Sequence, residues 1–99
     1  MRIEVRDSVL RRIVEDPDFT PKRWGADAIR SFRKKIQLLE AARDERDVRA
    51  YKALRLEKLA GDRAGTSSIR INDQYRLILR FETDDDGRIV IVLELVDYH

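Results

Sequence analysis

The chain of 99 residues contains no cysteine and only one histidine, His99. Without cysteine it forms no disulfide and no thiolate zinc site, and thiol catalysis is excluded. With one histidine, a His-rich metal centre or a Ser-His-Asp arrangement inside the chain is not expected. The sequence therefore predicts a protein that uses neither a metal nor another cofactor.

Long apolar runs are also missing. No stretch approaches the roughly 20 apolar residues that a membrane helix needs. The first four residues, Met1-Arg2-Ile3-Glu4, are charged and do not resemble the core of a signal peptide. We therefore expect a cytoplasmic protein with no membrane partner.

Charge is abundant but nearly balanced. Charged residues make up 40% of the chain, yet the net charge is only +2, which argues against a simple polycation that coats nucleic acid. The positions of the arginines should therefore matter more than their number. The length fits one domain over residues 1–99.

The first part of the sequence changes from a strand pattern to a helix pattern. Ile3 and Val5 alternate with charged residues, which predicts a short strand with one buried face. Asp7 or Ser8 can cap a helix after it. This helix should stop at Asp16-Pro17-Asp18, because proline disfavours helix in the residue before it.

A second helix is predicted from about Ala26 to Arg43, after a loop in which Phe19 and Trp24 serve as packing anchors. The mixed charge run from Glu40 to Arg49 shows no periodicity and is expected to be a frayed helix end or a surface loop. The apolar stripe of this helix consists of Ile29, Phe32, Ile36 and Leu39.

The second half of the sequence has strand patterns. Leu54 and Leu56 alternate with Arg55 and Glu57, which predicts a strand. Turns are expected at residues 72–74 and 84–87. Further strands are predicted at Ser67–Ile71, Tyr75–Glu82 and Arg88–Val96, the last buried on both faces. An N-terminal strand, two helices and then an antiparallel meander predict an α+β domain with helices on one face of a sheet.

Strand register links this layout to function. A three-residue turn would pair Ile71 with Tyr75 and would keep the apolar residues of both strands on the helix side. Arg70 and Arg76 would then share the opposite face. Two interpretations of that face stay open: a solvated set of ion pairs with Glu82, Glu94 or Asp97, or a phosphate site, which suits guanidinium geometry.

Three segments carry a recognisable pattern. They are Leu59-Ala60-Gly61-Asp62-Arg63-Ala64-Gly65, Ser68-Ile69-Arg70-Ile71-Asn72-Asp73-Gln74-Tyr75-Arg76 and the ending Val96-Asp97-Tyr98-His99. The first two resemble the centre of HigB-type toxins of the RelE/ParE superfamily, and the last resembles their terminal Asp-Tyr-His. The resemblance covers most of the chain and is specific from about Tyr51 onward. It implies a compact microbial-ribonuclease-like fold of the α+β class.

The resemblance also implies a function. It is that of a type II toxin, a metal-independent endoribonuclease that enters the ribosomal A site and cleaves messenger RNA during translation. Its implied partners are the ribosome, the messenger RNA and a helix-turn-helix antitoxin similar to HigA. Two alternatives stay open: a non-catalytic ParE-like toxin that inhibits DNA gyrase, and a degenerate toxin that retains only antitoxin binding.

Metal-free RNA cleavage needs a base for the 2′-hydroxyl proton, an acid for the leaving 5′-oxygen and cations for the charged transition state. By the resemblance, Arg76 matches the stabilising arginine, and Tyr98 and His99 match the terminal catalytic pair. Many members read Leu-His-Pro-Leu-Lys-Gly-Asp where this chain has Leu56-Glu57-Lys58-Leu59-Ala60-Gly61-Asp62. Glu57 thus replaces the histidine and is a candidate base, while Ala60 replaces the lysine.

Other cations complete the predicted site. Lys58 could supply the charge lost at Ala60 only if a local irregularity of the strand aimed it at the site. The remaining candidates for phosphate contact are Arg63, Arg70 and Arg80. Four helix cations are either a solvated face or contacts to ribosomal RNA: Arg30, Arg33, Lys34 and Lys35.

Overall fold

The computed structural model describes residues 1–97, so the predicted pair Tyr98 and His99 lies outside the described residues. The strands are β1 (Arg2–Val5), β2 (Glu57–Lys58), β3 (Ser67–Arg70), β4 (Tyr75–Asp84) and β5 (Gly87–Asp97). The helices are α1 (Ser8–Glu15), α2 (Ala26–Ala41) and α3 (Glu45–Ala50), with 3₁₀ turns at Lys52–Leu54 and Gly61–Arg63. No helix within this range is both long and apolar enough to cross a bilayer.

Within the described range the strands form one mixed sheet in the order β1-β5-β4-β3-β2. The predicted meander of β3, β4 and β5 is antiparallel, as expected. The N-terminal strand β1 joins it in parallel, beside β5. The sequence pattern predicted the N-terminal strand but not its partner, because a pairing between strands far apart in the chain leaves no signal in local alternation.

Helix α1 forms where its cap and apolar spacing predict it. The Asp7 carboxylate accepts the backbone N–H groups of Val9 and Leu10, both at 2.9 Å, which satisfies two donors that the helix itself leaves unpaired. Leu10 and Ile13 are fully buried. The helix ends at Glu15, two residues before the proline, as predicted.

Helix α2 supplies most of the helical side of the core. The predicted stripe is confirmed, with Ile29, Phe32, Ile36 and Leu39 all buried against the sheet. Trp24, in the loop before the helix, is buried as the expected anchor. The helix ends at Ala41 and not at Arg43, because Ala42 has an extended backbone.

The charge run that was expected to fray or form a loop contains the helix α3. Asp44 caps it by accepting the backbone N–H of Arg46 at 2.9 Å, and Asp47 accepts from the backbone and side chain of Arg43. The Arg43 hydrogen bonds hold the pKa of the Asp47 carboxyl below its usual value. Val48 is the one buried residue of α3, so the helix has no apolar stripe for a sequence pattern to detect.

The strand predicted from Leu54 to Glu57 is wrong for residues 54–56. Leu54 ends a 3₁₀ turn and is buried. Arg55 follows with φ 48° and ψ 56°, the left-handed conformation, so extended structure begins only at Glu57. The alternation of leucine and charge in this segment comes from a tight turn and not from a strand.

The register of β3 and β4 agrees with the three-residue turn. The Ile71 N–H donates to the Tyr75 carbonyl at 3.0 Å, and Ile69 pairs with Leu77. The turn is held by Asn72, whose side-chain oxygen accepts two backbone N–H groups. One sheet face therefore carries the core residues, and Arg70 and Arg76 pair on the other.

Arg33 holds α1, the following loop and α2 together. Its guanidinium donates to the carbonyls of Ile13 and Asp16, both at 3.2 Å, and to that of Phe19 at 2.7 Å. The first two carbonyls lie at the C-terminal end of α1, where a positive charge is favourable. Arg33 thus serves the fold and is not a free cation for ribosomal RNA.

The buried position of Phe32 generates a stability prediction. Phe32→Ala should lower the free energy of unfolding by about 3–5 kcal/mol, because it removes a ring from a closed core. Urea unfolding followed by circular dichroism measures this change. Val14→Ala is the control, since Val14 is 37% exposed and its loss should cost within about 0.5 kcal/mol. Equal losses in the two variants would contradict the core position of Phe32.

A matched pair of arginine variants tests the role of Arg33. Arg33→Met keeps the apolar stem but removes the donors to three carbonyls, so it should lower the free energy of unfolding by about 1–3 kcal/mol. Arg30→Met should change it by less than about 0.5 kcal/mol, because Arg30 is exposed and pairs only with exposed Asp27. Thermal and urea unfolding of both variants check this, and a harmless Arg33→Met would refute the structural role.

Candidate active site

Arg76 is the centre of the predicted site and lies on the sheet face that points away from the helices. It is 7% exposed. Its Nε–H donates to the Ser68 hydroxyl at 2.9 Å. Nη2 donates to the Arg55 carbonyl at 2.6 Å and to the Ser68 carbonyl at 3.3 Å. The guanidinium is thus fixed by its neighbours in the sheet.

Glu57 lies beside this guanidinium. Strand β2 pairs with β3 so that Glu57 is opposite Ser68, and its Oε2 is 4.0 Å from Arg76 Nη2. The Glu57 side chain is 53% exposed, whereas that of Arg76 is 9% exposed. The structure therefore brings the candidate base and the candidate stabilising cation together at the edge of the sheet, with the carboxylate reaching solvent.

The other predicted phosphate contacts are ion-paired. Arg63 pairs with Glu94, Arg70 with Asp73, and Arg80 with Glu82. Glu82 and Glu94, which were expected to pair with Arg70 or Arg76, pair with Arg80 and Arg63 instead, while Arg70 and Arg76 pair with Asp73 and Glu57. Each side chain in the Arg63, Arg70 and Arg80 pairs is about one third or more exposed, so these pairs are weak and a phosphate group can compete for the three arginines at little cost.

Apolar residues separate these arginines on the same face. Ile78 lies between Arg76 and Arg80 on β4, and Ile91 is opposite Arg80 on β5. Both isoleucines are 2% exposed although they are not part of the core under the helices. The face is therefore not an open polar surface, since two buried isoleucines lie among its arginines.

Lys58 does not join the Arg76 cluster. The β2–β3 pairing is regular, with Lys58 opposite Ser67, so its side chain points to the other face from Glu57. It lines a shallow cavity with Glu45, Thr66 and Phe81. The irregularity that would turn Lys58 toward the predicted site is absent from this pairing, and Lys58 does not replace the lysine missing at Ala60.

The helix cations separate into different environments. Lys34 is exposed, while Lys35 is half-buried beside the sheet. Burial, and then the positive charges of Arg70 and Lys34, lower the pKa of Lys35. Ser31, one turn earlier, donates its hydroxyl to the Ile71 carbonyl at 2.5 Å and so fixes α2 against the end of β3.

Residues 1–97 contain no group of three or more acidic, histidine or cysteine side chains placed to hold an ion. The aspartates at positions 84–86 form the turn between β4 and β5, and Asp84 pairs with Arg2. The Asp84 carboxylate also accepts the backbone N–H of Asp86 at 2.9 Å and so stabilises the turn.

Sequence reasoning missed two residues of the site, Ser68 and Arg55. Ser68 lies in the predicted strand Ser67–Ile71, but nothing in the pattern showed that its hydroxyl would accept from Arg76. The one available signal is that a small polar residue occupies a buried strand position diagonal to an arginine. Arg55 contributes a backbone carbonyl, which no side-chain pattern reveals.

Comparisons with known proteins agree on one family. The family model for HigB-like toxins, described as the RelE-like toxin of the type II toxin-antitoxin system HigB, matches residues 3–99. Toxin HigB-1 of Vibrio cholerae serotype O1 is 35% identical over 81 residues, which are 82% of this chain and 84% of that protein.

Solved structures show the same fold. A YoeB/ParE toxin from Agrobacterium tumefaciens matches with a TM-score of 0.60 and 19% identity, over the full length of both chains. A YoeB-YefM complex from Staphylococcus aureus matches with a TM-score of 0.54 and 16% identity, over 100% of this chain and 97% of that one. The predicted RelE/ParE-type α+β fold is confirmed, with three helices and a mixed sheet. The chain belongs to the HigB-like family of RelE-type toxins of type II toxin-antitoxin systems.

Proposed function

We propose that this toxin is a ribosome-dependent endoribonuclease that cleaves messenger RNA in the ribosomal A site. The observation that carries the proposal is the fixed, nearly buried guanidinium of Arg76 with the exposed carboxylate of Glu57 beside it. Family membership supports the reaction class, because RelE-type toxins are endoribonucleases. The surrounding arginines support an anionic substrate.

The cleavage proceeds by attack of a ribose 2′-hydroxyl on the adjacent phosphorus, with release of the 5′-oxygen of the next nucleotide. Negative charge grows on the phosphate oxygens, and a fixed guanidinium stabilises it without having to reorganise. Glu57 is the base that takes the 2′-hydroxyl proton. Tyr98 and His99 follow Asp97 in the chain, and His99 is assigned as the acid because its usual pKa suits proton transfer near neutrality.

The reaction is metal-independent in this proposal. The chain has no cysteine and one histidine, and arginine takes the place that a metal ion fills in other nucleases by neutralising the phosphate. Arg63, Arg70 and Arg80 bind neighbouring phosphates by exchanging their exposed carboxylate partners for the RNA backbone. Arg30, Lys34 and Lys35 remain the candidates for contact with ribosomal RNA.

Arg76→Ala tests the reaction. The substitution should lower the rate of cleavage of a defined messenger RNA by about 10²–10³-fold, because it removes the main stabilising donor. The assay compares cut sites in translating ribosomes with those in the same RNA alone. Wild-type protein should cut at A-site codons only when ribosomes are present.

The matched control for that assay is Arg46→Ala, which removes an exposed cation that pairs with Asp44 and is not a candidate for RNA contact, so this variant should cut like the wild type. Both variants should unfold at a temperature close to that of the wild type. A loss of cleavage then cannot be attributed to unfolding of the variant. Ribosome-independent cutting by wild type would contradict the proposed dependence, and full activity of Arg76→Ala would contradict the proposed site.

The partner of this toxin is a cognate antitoxin of the helix-turn-helix type, similar to HigA. Membership of a type II family supports an antitoxin protein, and the structurally similar YoeB of Staphylococcus aureus occurs in a heterotetrameric complex with YefM. Co-expression with the product of the adjacent gene should restore growth, and the two proteins should co-purify. An unrelated antitoxin is the control, and growth arrest that persists despite a soluble neighbouring product would contradict the pairing.

A further inference from the structure

The hydrogen bonds of Arg76 differ from those of the other arginines on its face. Arg63, Arg70 and Arg80 donate to carboxylates. Arg76 also donates to three neutral oxygens, namely the hydroxyl and carbonyl of Ser68 and the carbonyl of Arg55, and its Nη2 lies 4.0 Å from the Glu57 carboxylate. These neutral acceptors fix the orientation of the guanidinium in addition to its ion pair with Glu57.

Ser68 is positioned to do this from within the sheet. It is fully buried on β3, and its pairing with Ile78 makes it a diagonal neighbour of Arg76 on the adjacent strand. Both of its oxygens contact the guanidinium. A buried strand position is usually occupied by an apolar side chain. The serine hydroxyl at this position is explained by the hydrogen bond that it accepts from Arg76.

The backbone of Arg55 is the less usual part of the arrangement. Within residues 1–97 it is the only residue other than glycine with positive φ, a conformation that costs free energy for a residue with a side chain. The preceding 3₁₀ turn holds it, through the hydrogen bond from the Arg55 N–H to the Lys52 carbonyl at 3.1 Å and through buried Leu54. Such strain persists only where the surroundings impose it.

We infer that Ser68 and the left-handed turn at Arg55 are positioning residues, which lock the Arg76 guanidinium in the orientation that the cleaved phosphate requires. The inference rests on the proposed ribonuclease function. Its physical basis is preorganisation: a donor already aimed at the developing charge needs no rearrangement during the reaction. Ser68 and Arg55 therefore act on the rate through Arg76 and not by contact with RNA through their own side chains.

Two substitutions at Arg55 separate its backbone from its side chain. Arg55→Gly and Arg55→Val both remove the charged side chain, but glycine adopts the left-handed conformation freely and valine resists it. Arg55→Gly should cut within twofold of the wild-type rate. Arg55→Val should cut about tenfold more slowly at saturating ribosome concentration. The ribosome concentration that gives half of the maximal rate should be the same as for the wild type.

Ser68→Ala tests the Ser68 hydroxyl, which accepts the Arg76 Nε–H. It should also lower the saturated rate about tenfold, and Ser68→Thr, which keeps the hydroxyl, should recover most of it. A direct reporter accompanies the kinetics: the Arg76 Nε–H signal in a proton–nitrogen NMR spectrum should exchange slowly with water in the wild type and in Arg55→Gly. That signal should broaden or disappear in Ser68→Ala and shift in Arg55→Val.

The outcomes distinguish this inference from the function on which it rests. If Arg76→Ala abolishes cleavage while Arg55→Val and Ser68→Ala retain wild-type rates, the positioning role is refuted and the nuclease stands. If Arg76→Ala cuts like the wild type, the proposed site fails, and the NMR signal still decides whether Ser68 and Arg55 fix the guanidinium. Should Ser68→Ala fail to fold, the glycine and valine variants of Arg55 decide the kinetic question.

Discussion

The antiparallel pairing of β3 with β4 is the constraint on which the rest of this structure depends. Side chains alternate between the two faces of a strand, so a shift of one residue would exchange every inward and outward position. With Ile69 opposite Leu77, the core closes under α2. The same register puts Ser68 diagonal to Arg76 on the other face. One pairing thus sets both the stability of the fold and the geometry of the candidate site.

The arginines of this highly charged chain differ in burial and in the groups that they bind. Many of the arginines form exposed ion pairs, which contribute little to stability and remain available to an anionic partner. Two arginines are treated differently. Arg33 binds backbone carbonyls and joins the first two helices to their connecting loop, and Arg76 is enclosed by the sheet. Arginine thus serves in exposed ion pairs, in binding backbone carbonyls and in the enclosed candidate site. Neither the number of basic residues nor the net charge of +2 distinguishes these three roles.

Sequence patterns predicted what periodicity and turn chemistry determine. The stripe of α2, the cap of α1 and the β3–β4 register all follow from alternation or spacing and are confirmed. Helix α3 was missed because only Val48 in it is buried. The turn at Leu54–Arg55 was predicted as a strand because leucines alternate with charged residues there. The burial of Arg76 and its neutral acceptors depend on strands that meet only in the folded chain. The roles of Glu57, Tyr98 and His99 rest on resemblance and remain predictions.

The parallel pairing of β1 with β5 joins the first strand to the last one, with Arg2 opposite Ile89. Because β5 lies between β1 and β4, β1 cannot join the sheet until residues 87–97 have been synthesised. The β3–β4 hairpin is local and cheap to form, whereas the β1–β5 contact requires closure of a long loop, which raises contact order and slows folding. The core of this toxin therefore assembles late, only after the residues of β5 have left the ribosome that made them.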